Sequence, residues 1–419
     1  MGFRPSLLRT LPAAVAAALV LAASPAFGDD APAAAAAAAP KDTVRPEIGK
    51  PLQEAQALLK DKKYREALAK LKEAEAIPQR TPYENFIIDQ LRAGAASGAG
   101  DDETAVASAE SLVASGRLSP QNQLSMMKTI GYTYYKLKYY SKAASWYTRV
   151  LKETGDATME DLIIQCFYQG NDFAGVVNEA KAANEADEKA GRNPSEARLQ
   201  MLINAQLKLN DNAGQIQTLE RLLNSYPNRN YWEMAISKVA HKPGFADRLT
   251  LDLLRLRNAL GDLRRDTEYM EMAQLALEVG FPTEAKKILD QGFAAGVLGK
   301  GPDAEREKRL QAKANHDAAE DAKALGIGDM DAEKAKGGDA MVNGGFNYVM
   351  NGKADKGLPL MEAGLRKGGL KHADDARLHF GLALAMAGQK ARAVEELRNV
   401  RGNDGAADLA HLWAIHYSK

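Results

Sequence analysis

The sequence contains few of the histidine and cysteine side chains that form metal-binding and nucleophilic sites. Its 419 residues include six histidines and one cysteine, Cys166. A single cysteine excludes a disulfide within the chain, and its position excludes a lipoprotein anchor, which needs a cysteine at the cleavage point. Because Cys166 lies in an apolar helical segment with nothing nearby to lower its pKa, we expect a buried, unreactive thiol.

An excess of charge of either sign is also missing. The chain carries 55 basic and 55 acidic side chains, a formal net charge of zero. Sequence-independent binding to nucleic acid depends on a basic field that neutralises phosphates. We therefore predict no nucleic-acid partner.

Recognised catalytic and cofactor motifs are absent. His411 and His416 are five residues apart and so lie on different faces of a helix, while His372 and His379 lack other ligands in a recognised metal spacing. The glycine-rich stretch at residues 296–301 lacks the P-loop spacing and a following serine or threonine. We predict no metal, no cofactor and no enzymatic activity.

The N-terminus has the pattern of an export signal. Arg4 and Arg9 precede an apolar run at residues 11–23, and Ala26 and Gly28 are small residues at the positions that a signal peptidase reads. The run is shorter than the roughly 20 residues that span a bilayer. We expect residues 1–28 to be a signal peptide, the protein to be exported to a bacterial periplasm, and no integral membrane segment to remain after cleavage. Residues 29–45, rich in alanine and proline, are expected to form a disordered linker.

A small residue recurs along the rest of the chain with a period of about 36 residues. The positions are Ala67, Ala105, Ala143, Val176, Ala285, Gly357 and Ala393. Each lies in the second of two amphipathic segments joined by a short polar turn, a pattern that predicts antiparallel helix pairs. In one further pair Gln215 takes the small position, which predicts a looser crossing there.

The clearest pair occupies residues 123–151. Ile130, Gly131 and Tyr134 stand in its first helix, and Tyr140, Ala143, Tyr147 and Val150 stand in its second. This arrangement resembles the tetratricopeptide repeat. The resemblance implies an all-α, right-handed superhelical solenoid of antiparallel helix pairs, with Gly131 and Ala143 at the closest approach of the two helices.

The repeat pattern also predicts a domain organisation. We expect an N-terminal tetratricopeptide-like array at 46–296, a charged helical joint at 297–337, and C-terminal repeats with a capping helix at 338–419. The joint is predicted because residues 303–325 are polar nearly all round and a glycine-rich stretch through Gly344 and Gly345 follows. An irregular but packed repeat is the alternative for this region.

In tetratricopeptide folds the first helix of each pair lines the concave side, and this resemblance implies a ligand groove. The implied ligand-binding residues are Lys128, Tyr132, Tyr135, Lys136, Gln165, Tyr168, Gln169, Asn204 and Lys208. Lysines, amides and tyrosines suit an extended peptide, since they can bind its carboxylates, its backbone and its side chains. The alternative is that these residues form only the solvated side of amphipathic helices.

The functional prediction is a non-catalytic periplasmic adaptor that binds a protein or peptide partner in its concave groove. The alternative is a structural or assembly component of a cell-envelope complex that acts through self-association. The sequence alone identifies neither the partner nor the oligomeric state.

Overall fold

The computed structural model describes residues 42–419. The predicted signal peptide and residues 29–41 of the predicted linker lie outside the described residues. Within 42–419 the regular secondary structure is helical and no strand occurs, which confirms the predicted all-α class. Contacts divide the chain into two units, the first ending at Asn210 and the second beginning at Asp211.

The helices follow one another as antiparallel hairpins in a tetratricopeptide-like array. The first unit contains α1 Pro46–Lys60, α2 Tyr64–Glu75, α3 Pro82–Ala99, α4 Asp102–Ala114, α5 Pro120–Lys136, α6 Tyr140–Thr154, α7 Thr158–Gln169, α8 Phe173–Lys189 and α9 Glu196–Lys208. The second unit contains α10 Asn212–Ser225, α11 Arg229–Ala240, α12 Thr250–Ala259, α13 Asp266–Glu278, α14 Pro282–Ala294, α15 Ala304–Ala324, α16 Asp329–Lys334, α17 Asp339–Met350, α18 Ala354–Lys367, α19 Ala373–Met386, α20 Lys390–Arg398 and α21 Ala406–Tyr417.

The predicted boundaries at residues 296 and 338 fall inside the second unit, and the division into an N-terminal array, a joint and C-terminal repeats stays a prediction. The division seen in the contacts comes at the turn between α9 and α10. That turn belongs to the repeat in which Gln215 occupies the small position.

The hairpins share one turn conformation. A residue with left-handed backbone geometry stands two positions before each of these second helices. These residues are Lys62, Gly100, Lys138, Asn171, Asn210, Gly280, Gly352 and Gly388. In the third pair the Tyr139 N–H then donates to the Tyr134 carbonyl at 2.8 Å, the bond that closes a Schellman motif. The same local turn geometry therefore recurs before these eight helices.

Small residues lie where the two helices of a pair cross. Ala67, Ala143, Ala285 and Ala393 have no exposed surface. In the third pair a methyl group on Gly131 would lie 2.7 Å from the Tyr147 ring, too close for any side chain to fit without displacement. Gly131 therefore packs directly against Tyr147 of the second helix, and Ala143 is buried in the same pair.

The glycine-rich stretch near Gly345 is a site of close helix packing. A methyl group on Gly345 would lie 2.6 Å from the Gly357 carbonyl oxygen, and one on Gly364 would lie 2.8 Å from the Gly338 carbonyl oxygen. Four glycines thus let the backbones of α17 and α18 touch. This stretch fits the alternative of a packed repeat, while α15 just before it is the polar helix that the sequence predicts, with Glu307, Ala314 and Ala318 buried.

The last helix packs against both ends of the second unit. Helix α21 contacts α19 and α20, which precede it, and also α10 and α12 near the start of the unit. Its apolar residues Leu409, Leu412 and Trp413 are buried. The second unit is therefore closed on itself by its C-terminal helix.

An acid-sensitive contact stabilises the start of the first unit. Glu84 is fully buried. It accepts hydrogen bonds from Arg45 Nε at 2.9 Å and from the Thr81 N–H at 2.8 Å, in a capping box at the start of α3. Burial alone raises the pKa of Glu84, but the bonds from Arg45 and Thr81 outweigh it and lower the pKa to about 2.

We expect Glu84 to contribute stability that is present above pH 4.5 and is lost as the pH falls toward 2. Glu84→Gln should lower the free energy of unfolding by about 2 kcal/mol at pH 6, because the charged form is the one stabilised. Urea unfolding at pH 6 and pH 3, followed by circular dichroism, checks this. The deficit of the variant should shrink at pH 3, and a deficit independent of pH would contradict the assignment.

Candidate functional site

Helix α5 presents two chemically different faces. Ser119 caps its first turn through the Asn122 N–H, and Pro120 is its first residue. Met127 and Ile130 are fully buried in a hydrophobic core to which α4, α6 and α7 also contribute. The opposite face carries the four predicted positions Lys128, Tyr132, Tyr135 and Lys136, which we call the tyrosine face.

Tyr132 is the exposed centre of the tyrosine face. Its side chain is 42% exposed although it stands on a well-capped helix. Lys128 and Lys136 lie one turn before and one turn after it. Such a ring offers a partner apolar area at a small cost in conformational entropy.

The two lysines are held by carboxylates at neighbouring helix ends. Lys128 Nζ lies 3.2 Å from Asp156 Oδ2, and Lys136 Nζ lies 2.6 Å from Asp102 Oδ2. The hydrogen bond to Asp102 raises the pKa of Lys136. Both lysines keep 40% or more of their side-chain surface, so a ligand carboxylate can still approach them. Exposed pairs of this kind contribute little to stability and exchange readily.

Tyr135 joins the tyrosine face to helix α7. Its ring meets Tyr140 edge to face, with centroids 5.4 Å apart. Burial raises the pKa of Tyr135 to about 12, while a hydrogen bond from the Gln165 side chain opposes that rise. Gln165 itself is only 2% exposed and its Oε1 atom has no hydrogen-bond partner. Gln165 is therefore buried beneath the surface, whereas the sequence predicted that it lines the groove.

The other predicted positions lie along α7 and α9, which contact each other. Tyr168 packs edge to face on Phe173, with centroids 6.1 Å apart. Gln169 and Asn204 are half-buried, and Lys208 is exposed. Tyr135 and Gln165 are the predicted residues that the structure shows in direct contact with each other. Their common use as one ligand site stays a prediction.

Glu110 of the preceding pair is a residue that sequence reasoning missed. It accepts hydrogen bonds from Tyr134 OH at 2.8 Å and from Trp146 Nε1 at 3.1 Å. Burial and this carboxylate raise the pKa of Tyr134 to about 12. Glu110 and Trp146 are 36 residues apart, which is one repeat, so the period was a signal that could have paired them. The contact ties α4 to α5 and α6 and fixes the helix that carries Tyr132.

In the part of the chain that the structure describes, the cysteine is buried and no cluster of metal ligands is found. Cys166 is buried as expected, and burial raises the pKa of its thiol to about 12. Between residues 42 and 419 no group of three or more histidine, cysteine, aspartate or glutamate side chains is arranged to hold a metal ion. None of the helices in this range is both long and apolar enough to cross a bilayer.

No model of a known protein family and no curated protein matches the sequence. Solved structures similar in arrangement include Naa15/Naa10 bound to HypK-THB, yeast Tom70 and the TPR domain of P58(IPK). Their sequence identities are 14%, 10% and 10%, their TM-scores are 0.31, 0.24 and 0.23, and the matches cover 87%, 88% and 88% of this chain. The matches cover 58%, 95% and 98% of those chains, so this chain spans less than two thirds of the first.

Proposed function

We propose that this protein is a non-catalytic helical-repeat adaptor that binds a protein or peptide partner on the tyrosine face of α5. The observation that carries the proposal is the exposure of Tyr132, a large aromatic side chain 42% open to solvent on a helix whose other face is fully packed. Exposed aromatic residues on rigid elements are the usual anchors of protein interfaces.

The surroundings of Tyr132 favour an extended, acidic segment as the ligand. Lys128 and Lys136 flank the ring, and each already binds one carboxylate in a geometry that a ligand carboxylate could reproduce. The half-buried amides of Gln169 and Asn204 lie on the following first helices and could bond to a peptide backbone. A chain of repeats extends such contacts in one direction.

We propose that the protein acts in a bacterial periplasm. The support is the basic, then apolar, then small-residue order of residues 4–28. Osmotic-shock fractionation of cells that express the full-length gene checks it. We expect a shortened protein in the periplasmic fraction, and full-length protein in the cytosol would contradict this location.

We expect Tyr132→Ala to weaken peptide binding about tenfold, because loss of a central aromatic anchor costs 1 to 2 kcal/mol or more. Short random peptides panned against the full-length protein supply the probe, and fluorescence anisotropy measures its affinity. The matched control is Tyr139→Ala, since Tyr139 is 47% exposed but lies at the α5–α6 turn beside Tyr134.

The control should bind within about twofold of the unchanged protein, and both variants should keep its melting temperature. Tyr132 is preferred to Tyr135 for this test because Tyr135 also packs on Tyr140 and Gln165. Equal affinities for all three proteins would remove the tyrosine face as the site. A concentration-dependent oligomer in light scattering, together with no peptide binding, would favour the self-associating component instead.

A further inference from the structure

The second unit contains an open cavity of about 320 Å³, located where α11 begins and α12 ends. Its apolar wall is formed by Trp232 and Ile236 of α11 and by Leu260, the residue that follows α12. A volume of this size lies at the lower end of the range for sites that bind small molecules. The cavity is therefore large enough to hold a single apolar group of a ligand.

The aromatic part of this wall is held in place by the last helix. Trp232 is half-buried, and its ring packs edge to face on the His416 ring of α21, with centroids 6.4 Å apart. His416 also packs edge to face on Trp413, with centroids 5.7 Å apart, and Trp413 is buried. Because these contacts fix the Trp232 ring before a ligand arrives, little conformational entropy is lost when a ligand packs on it.

Two arginines beside the apolar wall share the same two carboxylates. Arg229 lines the cavity and donates from Nε to Glu233 Oε1 at 3.0 Å and from Nη2 to Asp262 Oδ1 at 3.1 Å. Arg264 Nη2 donates to the same two oxygens at 2.9 Å each. The shared acceptors therefore hold two guanidinium groups close together in spite of their like charge.

Both arginines keep the capacity to bind an anion. Their side chains are 59% and 53% exposed. A guanidinium carries five N–H donors, and the bonds to Glu233 and Asp262 use Nε and Nη2 of Arg229 and only Nη2 of Arg264. Asn228 caps α11, so the positive end of that helix also lies at the cavity.

The ion-pair network around the cavity has an excess of positive charge. It consists of four arginines and three carboxylates, namely Arg229, Arg257, Arg264, Arg265, Glu233, Asp262 and Glu268. An anion that binds to the exposed arginines balances this charge. An apolar wall beside exposed guanidinium groups thus suits a ligand that has one apolar part and one negative part.

We propose that this cavity binds a carboxylate that is attached to an aromatic or branched apolar group. The apolar group packs on Trp232 and Ile236, and the carboxylate accepts hydrogen bonds from Arg229 and Arg264. Arginine suits this role because its planar guanidinium binds a carboxylate through two parallel hydrogen bonds. Glu233, which is 46% exposed, competes with the ligand for the same donors.

Two kinds of ligand carry this chemistry. One is a free organic acid, and the other is the C-terminal residue of a peptide, whose own carboxylate and apolar side chain take the two positions. The inference concerns the second unit and does not depend on binding at the tyrosine face of α5.

Isothermal titration calorimetry on the full-length protein tests the proposal with phenylpropionate as the probe. Phenylpropionamide, which has the same ring and no charge, should bind at least about tenfold more weakly, because a charge-assisted hydrogen bond is lost. Acetate should also bind at least about tenfold more weakly, because it lacks the group that the apolar wall holds. Equal affinities for phenylpropionate and its amide, or for phenylpropionate and acetate, would overturn the proposal.

A short peptide that ends in phenylalanine distinguishes the two sources. Tighter binding of this peptide than of phenylpropionate, lost when its C-terminus is amidated, supports the site as one for peptide C-termini. Tighter binding of phenylpropionate supports it as a site for free organic acids.

Variants then assign the binding to the cavity. R229Q should weaken phenylpropionate binding about tenfold, whereas E233Q should strengthen it about threefold, because a competing carboxylate is removed. The matched control is R392Q, which should bind as the unchanged protein does, since Arg392 is 52% exposed and pairs with Glu362 but does not line the cavity. Equal affinities of R229Q and R392Q would overturn the site. Binding that is kept in R229Q and lost in Y132A would place the probe on α5 and also overturn it.

Discussion

Arg255→Met is expected to lower the free energy of unfolding of the second unit by about 3 to 5 kcal/mol, the range for removing one partner of a buried ion pair. Arg255 is 5% exposed and binds both Asp252 and Glu284. Its removal leaves two buried carboxylates facing only His379. The methionine replaces the aliphatic part of the side chain, so the loss reports charge rather than volume.

A control and a rescue make this prediction specific. Arg264→Met removes an arginine of the same unit that is 53% exposed, although it also contacts two carboxylates, and should cost less than about 1 kcal/mol. Adding Glu284→Gln to Arg255→Met should restore part of the stability, because one unpaired charge is removed. Chemical unfolding of the four proteins measures this. Equal losses for the Arg255 and Arg264 variants would show that the cluster does not stabilise the unit.

Gly345→Ala is expected to lower the stability of the second unit by about 2 kcal/mol, in spite of the better helix propensity of alanine. The added methyl group would lie 2.6 Å from the Gly357 carbonyl oxygen and 2.9 Å from the Met361 nitrogen. Both are backbone atoms of α18, so α17 and α18 must move apart. Because the two helices separate, packing is lost along the whole pair.

The neighbouring glycine supplies the control. A methyl group on Gly344 would have only the Leu360 side chain within reach, at 3.8 Å. Gly344→Ala should therefore leave stability unchanged or raise it by up to about 1 kcal/mol. Thermal unfolding of the two variants measures the difference. A Gly345→Ala protein as stable as Gly344→Ala would contradict the close backbone contact between α17 and α18.

The helix pairs were predictable because their signals are local. A small residue three positions into the second helix, as at Ala143, faces a small or aromatic residue of the first helix within one hairpin. Gly131 and Tyr147 lie in one such hairpin, and their contact follows from helical spacing and side-chain size. Gly345 and Gly357 follow the same rule, since they meet within the α17–α18 hairpin.

The closure of the second unit was not predictable in this way. His379 and Asp252 are 127 residues apart, and Lys242 and Asp408 are 166 residues apart. Each of these residues looks like an ordinary polar position of an amphipathic helix. Pairing across such distances depends on how successive repeats stack, and one sequence contains no local pattern for it.

The candidate site was predicted in part. Tyr132 is exposed because it stands on the side of α5 opposite Ile130 and Met127, and helical spacing places it there. Gln165 is buried, and its side chain forms a hydrogen bond with Tyr135 of α5. The polarity of a helix does not show which of its sides faces the next repeat, because a buried amide can form a hydrogen bond to a neighbouring helix.

Site-specific photo-cross-linking tests the central claim of an adaptor surface on α5 most directly. A photoreactive residue is placed at position 132, with position 139 as the matched aromatic control and Ile327, which is 80% exposed in the second unit, as a distant control. We predict a cross-link to a different protein from position 132 alone, lost when a peptide selected for binding is added. Cross-links of equal yield from all three positions, or only to a second copy of this chain, would contradict the account.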